Sequence, residues 1–309
     1  MTLKKSSNFS YPKNLNESLE EIIRYPHTLI CIHPLNSSQA IANLVNTTTQ
    51  EISLWESFKI QRRVIGALLM REILDRWGRH NIGFLWMFAE PMIFTLGVML
   101  LWSLAGISHS TSISAVGFAI TGYSAVLLWR NMPSKLIKAV QANHTLMHHR
   151  NIKIIDIFFT RLLLEAMGAT LSFIILTFLF SYFGLLKLPE DPFEVVIGWL
   201  LLAWFGFGLA LTVGSLSERS EIVHILWHPF CYLLFPLSGA AFTVSALPEK
   251  FQKAVLYLPM VHGVEMIREG FFGDTFHAHY SIPYMVGWCL ALTYIGLGQM
   301  TIISRKIVA

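Results

Sequence analysis

Charge is scarce in this chain. Only 14% of its 309 residues are Asp, Glu, Lys or Arg, whereas a soluble globular protein carries about 25%. Hydrophobic residues make up 54% of the sequence. A chain this apolar is typical of a protein that has lipid as its solvent. The sparse basic residues also exclude a surface dense enough in positive charge to bind nucleic acid.

Several catalytic and binding motifs are missing as well. The sequence has no Gly-x4-Gly-Lys-Ser/Thr phosphate loop, so we expect no ATP binding by that route. It has no Gly-x-Ser-x-Gly nucleophile elbow. The three cysteines, Cys31, Cys231 and Cys289, are scattered without the spacing of a disulfide framework or a metal site. The first fifty residues contain no continuous apolar core, so we expect no cleaved signal peptide and a cytoplasmic N-terminus.

Two N-terminal segments differ from the rest of the chain. Residues 1–53 are rich in Asn, Ser and Thr, which predicts a cytoplasmic extension. Residues 54–80 combine apolar residues at helical spacing with interspersed basic residues, which predicts an amphipathic helix lying in the membrane surface. The apolar members are Leu54, Phe58, Ile65, Leu68, Leu69, Ile73 and Trp77, and the basic ones are Lys59, Arg62, Arg63, Arg71, Arg76 and Arg79.

The remainder, residues 81–309, contains apolar stretches of bilayer length. A transmembrane helix needs about 20 apolar residues. Six stretches meet this requirement, at roughly 82–107, 113–132, 160–183, 193–214, 223–246 and 281–303. The fold class predicted is therefore an all-α polytopic membrane protein with six transmembrane helices. It also has an N-terminal interfacial helix and, before the last span, short re-entrant helices.

The distribution of Lys and Arg predicts the orientation of these spans. If the N-terminus is cytoplasmic, the cytoplasmic segments hold most basic residues, from Arg62 to Arg79, Arg130 to Arg161, Arg219, Arg305 and Lys306. The outer segments hold only Lys187, Lys250, Lys253 and Arg268. This asymmetry follows the positive-inside rule and predicts that both termini are cytoplasmic.

Two connections are too long to be simple turns. The cytoplasmic one, about 133–159, contains Pro133 and an apolar-basic stretch from Arg150 to Asp156. The outer one, about 247–280, is half as hydrophobic as a span, with Phe251, Met260 and Ile267 among its apolar residues. Such a segment between two spans predicts short re-entrant or interfacial helices.

Histidines at helical spacing raise the question of a metal site. His144, His148 and His149 form one group, and His224 and His228 form a second one. The spacing resembles the histidine boxes of membrane di-iron desaturases. The predicted topology puts the further pair His277 and His279 on the opposite side of the membrane, so one metal centre cannot use all three groups. We interpret these histidines as interfacial residues and predict no metal.

Carboxylates and aromatic residues inside the spans are the remaining candidates. An intramembrane carboxylate such as Glu90 faces a bundle interior or a wet cavity, for structural or functional reasons. Glu165 lies four residues after Arg161, which predicts a local ion pair. Aromatic residues are frequent in spans one and five. Two interpretations are open: these residues pack in the core and form an interfacial aromatic belt, or they form a stacking surface for sugars.

Two motifs resemble those of a known family. Behind the small residues Ser238 to Ala241, the chain reads Leu247-Pro248, ten residues, Pro259-Met260-Val261-His262, five residues and Arg268. This resembles the signature of ABC-2-type integral membrane subunits. The block from Arg71 through Trp86 to Glu90-Pro91 is similar to the start of the polysaccharide-exporting members, above all the capsule polysaccharide export permeases. The resemblance covers residues 55–309, and the first fifty residues depart from it.

The resemblance implies a transport subunit without catalytic residues. Such permeases form homodimers, and each copy docks a separate cytoplasmic ATPase that binds ATP and Mg. The complex moves a lipid-linked, acidic polysaccharide across the inner membrane. Capsule exporters then pass it to a periplasmic co-polymerase and an outer-membrane channel. No cofactor is expected in this chain itself, and no nucleic acid is expected as a partner.

We expect four functional regions on this basis. Arg71, Arg76 and Arg79 would meet the anionic head group, or simply anchor the helix to anionic lipid. The ATPase coupling segment would include Asn143, Arg150, Lys153 and Ile154, with further contacts from Glu218, Arg219 and Glu221. The substrate path at the dimer seam would be lined by Trp86, Phe88, Glu90, Trp227, Tyr232 and Phe235. The outer gate would contain Pro259, His262 and Arg268.

Other classes of protein stay open at this point. An O-antigen or teichoic-acid permease of the same superfamily differs from the capsule type only by degree of resemblance. A metal-dependent desaturase or a lipid-linked sugar transferase would be an enzyme instead, and bound iron or turnover without an ATPase would reveal it. A membrane scaffold or ion channel fits the long, asymmetric connections less well.

Overall fold

The computed structural model describes residues 54–77, 83–104, 113–145, 147 and 152–308. The chain divides into two units, Met1–Ser57 and Phe58–Ala309. Of the first unit, only residues 54–57 are described, and they begin the first helix. The predicted N-terminal extension, residues 1–53, lies outside the described residues, as do Arg79 and Arg150.

The first helices follow the predicted boundaries closely. α1 spans Leu54–Trp77 and α2 spans Gly83–Leu104. α3 spans Ala115–Leu136 and begins at a cap, because the Ser114 hydroxyl accepts a hydrogen bond from the N–H of Gly117 at 3.1 Å. Lys138, with a φ of +56°, then turns the chain into the short helix α4, Ala139–Ala142. The interfacial position predicted for α1 stays a prediction.

The next two helices start at side-chain caps. α5 spans Ile154–Tyr182, and the carboxylate of Asp156 accepts from the N–H of Lys153 at 3.3 Å. α6 spans Pro192–Ser217, where the Asp191 carboxylate accepts from the N–H groups of Phe193 and Glu194 at 2.9 and 3.2 Å. These carboxylates satisfy N–H groups that lack a partner inside the helix.

α7 is shorter than the fifth predicted span. It covers Glu221–Leu237 and stops before Gly239, whose φ is +81°. A proline at position 236 in the last turn and this left-handed glycine together end the helix. The prediction of a continuous helix up to residue 246 is therefore wrong. Residues 244–246 form a separate 3₁₀ turn, Val244–Ala246.

The predicted connection 247–280 is helical. It contains α8, Glu249–Val255, and α9, Pro259–Phe272, followed by a 3₁₀ turn, Gly273–Thr275. α10 then spans Ile282–Val308. The prediction of short helices before the last span is confirmed, whereas their re-entrant placement in a membrane stays a prediction. All regular elements among the described residues are helical.

The helices pack around α6. Its main neighbours are α3, α9 and α10, and α3 in turn packs against α2 and α5. Glycine allows the closest approach: a Cβ on Gly206 would lie 2.8 Å from the Cα of Trp129. We call the two ends of the bundle the α1 end and the α9 end. At the α1 end, side chains of α1 meet the C-terminal end of α3 and the N-terminal part of α5, and at the α9 end α9 lies beside the start of α3.

Four of the described helices are long and apolar enough to cross a membrane: Leu85–Leu104, Ile154–Tyr182, Pro192–Ser217 and Ile282–Arg305. They correspond to predicted spans one, three, four and six. The second and fifth predictions are not among them. α3 carries Arg130 and many small polar residues, and it is buried along most of its length by protein. α7 has only 17 residues. Protein neighbours thus replace lipid around α3, which explains its lower hydropathy.

Candidate functional site

A network of ion pairs joins α1 to α3 and α5 at the α1 end. Arg76 binds Glu72 within α1 at 2.9 Å and also hydrogen-bonds Glu165 of α5. Lys135 of α3 lies 3.5 Å from the same Glu165 carboxylate. The Nε of Arg161 lies 3.1 Å from Glu72. We call these five residues the charge network.

The predicted local ion pair between Arg161 and Glu165 is wrong. The carboxylate of Glu165 points to Arg76 and Lys135, and Arg161 instead meets Glu72. The guanidinium of Arg161 also donates to the backbone carbonyl of Lys135 at 3.0 Å. Both side chains are only about one-seventh exposed, so tertiary partners across the helix interface outcompete the neighbour on the same helix.

A polar cavity of about 440 Å³ opens beside the charge network. It is lined by Arg71, Glu72, Asp75 and Arg76 of α1 and by residues of α3 and the following connection, including Ser134, Lys135 and Asn143. Arg71 is exposed at this cavity, where it pairs with Asp75 at 3.2 Å and donates to the Asn143 amide oxygen at 3.4 Å. Of the three predicted head-group arginines, Arg71 and Arg76 thus share one cavity.

The connection between α3 and α5 is held by side-chain caps. The Glu218 carboxylate accepts from the N–H of Val140 at 3.2 Å and so ties the α6–α7 turn to α4. Burial raises the pKa of Glu218, and the backbone hydrogen bonds oppose that shift. Asn143 and Ile154 are buried, whereas Lys153 is exposed. Asn143 donates to the carbonyl of Ala139 at 2.9 Å. The two connections therefore form one folded unit.

The predicted path residues lie on α2 and α7. Trp86 is exposed, and Phe88 and Glu90 are half-buried. Glu90 lines a narrow crevice that it shares with Asn131 of α3 and Glu165 of α5. On α7, Tyr232 is exposed and Phe235 packs edge-on against Tyr123.

Trp227 occupies a different environment from the other path candidates. Its indole is buried between α7 and α3 and donates to the Ser134 hydroxyl at 3.1 Å. α2 and α7 nevertheless each keep an exposed apolar face. The exposed residues are Leu85, Trp86, Ile93, Phe94, Leu100 and Leu101 on α2, and Ile222, Ile225, Leu226, Phe230 and Leu233 on α7.

The predicted gate residues lie on α9, where His262 joins three segments. The N–H of Ser281 donates to its Nδ1 at 3.0 Å, so Nε2–H donates to the carbonyl of Leu256 at 2.8 Å. This pattern requires a neutral ring. Burial lowers the pKa of His262, and the hydrogen bond with Leu256 partly opposes the shift. Pro259, at the first position of α9, is buried.

Arg268 is completely buried, and three backbone carbonyls and one aromatic ring contact its guanidinium. Its guanidinium donates to the carbonyls of Gly239, Ala240 and Phe242 at 2.7 to 2.9 Å. The same group lies 3.8 Å above the centroid of the Phe118 ring. Burial lowers the pKa of Arg268 to about 10, with Glu265 opposing the shift, so the side chain stays charged at neutral pH. We call these contacts the Arg268 clamp.

Glu265 is a buried residue at this end that the sequence motifs do not single out. It is fully buried, three residues before Arg268, and its carboxylate accepts from the N–H groups of Val244 and His279 at 3.3 and 3.2 Å. Burial raises the pKa of Glu265, while the charge of Arg268 lowers it. The spacing of three residues on one helix was the available signal, because it places both side chains on the same face.

The histidine groups do not assemble. Among the described residues, no three His, Cys, Asp or Glu side chains lie close enough together to hold a metal ion. His224 and His228 have ring centroids 6.4 Å apart. His148 and His149 lie outside the described residues.

Long apolar helices, exposed apolar faces and buried polar groups at each end define a polytopic helical membrane protein. Its residues 63–272 match the model of the ABC-2 type transporter family. The chain belongs to this family, and it is therefore a transporter subunit rather than an enzyme.

Three relatives are similar along most of the chain. The capsule polysaccharide export inner-membrane protein CtrC of Neisseria meningitidis serogroup B is 40% identical over 255 residues, covering 82% of this chain and 96% of that protein. The capsule polysaccharide export inner-membrane protein BexB of Haemophilus influenzae is 38% identical over 82% of this chain and 95% of its own. The polysialic acid transport protein KpsM of Escherichia coli is 28% identical over 78% and 93%.

Proposed function

We propose that this chain is the permease subunit of an ATP-driven exporter that moves a lipid-linked, acidic capsular polysaccharide across the inner membrane. The observation that carries the proposal is the 40% identity to CtrC over 96% of that protein's length. ATP and Mg would be bound by a separate ATPase subunit. A periplasmic co-polymerase and an outer-membrane channel would receive the polymer.

The proposed architecture has six spans and two cytoplasmic termini. α3 supplies the second span: its 22 residues extend over about 33 Å, close to the thickness of the hydrocarbon core. α7 supplies the fifth span together with the turn that follows it. The α1 end would then be cytoplasmic, because it carries the basic residues of α1 and of the α3–α5 connection.

The permease would act as a homodimer. The apolar faces of α2 and α7 support this, because they are the faces that α3 and α6 leave uncovered. Trp86, Phe88, Glu90, Tyr232 and Phe235 would then line a path at the dimer seam, with Trp227 packed behind them. Aromatic rings offer sugars a stacking surface that tolerates many sequences.

The cavity at the α1 end would receive the anionic head group. Arg71 is the best-placed arginine, since it is exposed and its exposed partner Asp75 competes weakly with a phosphate or carboxylate. Arg76 is already bound by two carboxylates, so its role there would be to hold α1 in position. Arg79 would extend the basic surface.

The α3–α5 connection would couple this subunit to its ATPase. Lys153, which is exposed, would contact the ATPase together with Arg150, whereas buried Asn143 and Ile154 would give the segment its shape. Because Glu218 ties the α6–α7 turn to α4, motion of the ATPase would reach both connections together. At the α9 end, Pro259, His262 and Arg268 would shape the outer gate.

A complementation experiment tests the proposal. A bacterium that lacks its own capsule permease and makes an acidic capsule would receive this chain together with a capsule-exporter ATPase. We expect polysaccharide at the cell surface, measured by antibody binding and by uronic or sialic acid content. The matched control carries an ATPase with its phosphate-loop lysine replaced.

Polysaccharide that stays inside the cell would contradict the proposal. Export of a neutral O-antigen, but not of the acidic polymer, would instead favour the alternative permease type.

A further inference from the structure

The cations that lie buried or half-buried in the described part of the bundle differ in their partners. Four of them are bound by oxygen atoms: Arg76 and Lys135 by Glu165, Arg161 by Glu72, and Arg268 by backbone carbonyls. The fifth, Arg130 of α3, has no acidic side chain within 4 Å among the residues that the structure describes. Its positive charge is therefore not neutralised by an ion pair.

Aromatic rings hold Arg130 instead. Its guanidinium carbon lies 5.0 Å from the ring centroid of Tyr232 and 5.7 Å from that of Phe235, both on α7. It also interacts with the hydroxyl of Tyr123 on α3. Cation–π contacts fix the position of a guanidinium without cancelling its charge. Tyr123 and Cys231 engage part of the group. The N–H donors that face the rings stay available to a ligand, because ring faces accept no strong hydrogen bond.

Arg130 lies beside exposed aromatic side chains of α7. Tyr232 is 67% exposed, and Arg130 itself is half-buried. The next residue, Asn131, lines the crevice that contains Glu90 of α2. Arg130 thus lies at the level of Glu90 along α3, yet the two are more than 4 Å apart.

We propose that Arg130 is the anion-binding residue of the transport path. It would take a carboxylate or phosphate of the passing glycan, while Tyr232 stacks on a neighbouring sugar ring. This inference rests on the proposed function. The planar guanidinium pairs bidentately with either anion, which a lysine ammonium does not. Among the described residues there is one such cation in each copy, which favours short-lived contacts that release the polymer for the next step.

A binding experiment on the full-length chain tests this role. The protein would be reconstituted in nanodiscs of phosphatidylcholine, and the Kd would be measured for an oligouronate and for a neutral oligoglucan of the same length. Arg130→Gln should weaken oligouronate binding by about tenfold or more, the size expected from a lost charge-assisted hydrogen bond. Binding of the neutral glycan should not change. Lys250→Gln, which removes an exposed charge on α8, is the matched control.

Arg130→Lys separates charge from shape. It should bind the oligouronate with an affinity between those of the wild type and Arg130→Gln, and its thermal midpoint reveals any loss of folding. If Arg130→Gln does not fold, Arg130→Lys and Tyr232→Ala carry the test, and each should weaken oligouronate binding.

The outcomes separate the two proposals. Equal oligouronate affinity in the wild type and in a folded Arg130 variant would overturn the role of Arg130 alone. The same follows if the variant weakens both glycans equally. A wild-type chain that binds neither glycan would overturn the proposed function and this inference with it.

Discussion

The two ends of the bundle both keep arginine side chains away from water, but with different partners. At the α1 end, the charge network pairs Arg76 and Arg161 with carboxylates on long, partly exposed side chains. At the α9 end, the Arg268 clamp uses backbone carbonyls and a ring, and the side chain is fully buried. Salt and competing anions reach the first arrangement and not the second.

This difference assigns different mechanical properties to the two ends. Carboxylate partners can be exchanged one at a time, so the charge network permits α1 to shift against α3 and α5. The carbonyls that bind Arg268 belong to the turn after α7, which cannot leave without exposing them unpaired. If the α9 end acts as a gate, we expect it to move as one body with the clamp intact.

Removal of Arg268 should have the largest effect. Arg268→Ala leaves three carbonyls without this donor, two of them buried, and the Glu265 carboxylate without its compensating charge. We expect a cost of about 3–5 kcal/mol of unfolding free energy. Denaturant unfolding in detergent micelles, followed by tryptophan fluorescence, measures this loss. Arg305→Ala, at an exposed position of α10, is the matched control and should change stability by about 0.5 kcal/mol at most. Equal losses in the two variants would refute the clamp.

A methyl group beside the clamp should have the next largest effect. A Cβ at Gly122 would clash with the Nη2 of Arg268 and would lie 2.8 Å from the carbonyl oxygen of Ala240. We therefore expect Gly122→Ala to cost about 1–3 kcal/mol through overpacking. At Gly97 in α2, a Cβ would meet no atom within 4 Å, so Gly97→Ala should be neutral or stabilising by up to about 1 kcal/mol. A Gly122→Ala variant as stable as the wild type would mean that the turn after α7 can shift to accommodate the methyl group.

The charge network should give a smaller, salt-dependent effect. In a double-mutant cycle, Arg76→Gln and Glu165→Gln should show a coupling energy of roughly 0.5–3 kcal/mol that shrinks as salt is added. The exposed pair Lys253–Glu249 is also close, at 2.9 Å, but its side chains are about three-quarters exposed. Its coupling energy should stay below about 1 kcal/mol. A coupling energy between Arg76 and Glu165 that does not change with salt would contradict the proposed difference in salt sensitivity between the two ends.

The sequence predicted most of the helices but not their contacts. The fourth span, expected at 193–214, is the helix Pro192–Ser217. A long apolar run between polar caps forms a helix in lipid because a helix pairs its own backbone polar groups. The fifth helix ends before the predicted boundary, because hydropathy does not reveal that Gly239 adopts a left-handed conformation. Spacing along one helix predicts Arg161 as the partner of Glu165, but it gives no information about Arg76 of α1, which is distant in sequence. Arg268 is recognisable in the sequence as part of the family motif, whereas the importance of Glu265 is visible only from its burial in the structure.

The smallest expected effect concerns pH and His262. The folded state requires the neutral ring, since Nδ1 accepts from the N–H of Ser281, and burial lowers the pKa of His262 below its ordinary value of 6.5. The unfolded chain therefore binds the proton more readily than the folded one. The stabilising contribution is complete above pH 6.5 and declines as the pH falls through the lowered folded pKa.

His262→Gln should remove this decline, so the difference in unfolding free energy between wild type and variant should narrow as the pH falls from about 7 towards 5. The comparison of the two chains is necessary because burial raises the pKa of Glu265, whose contribution changes with pH in the opposite direction. Glu265 is present in both chains, so its effect cancels from the difference. A difference that stays constant over this range would mean that His262 keeps its contacts whether or not it is protonated.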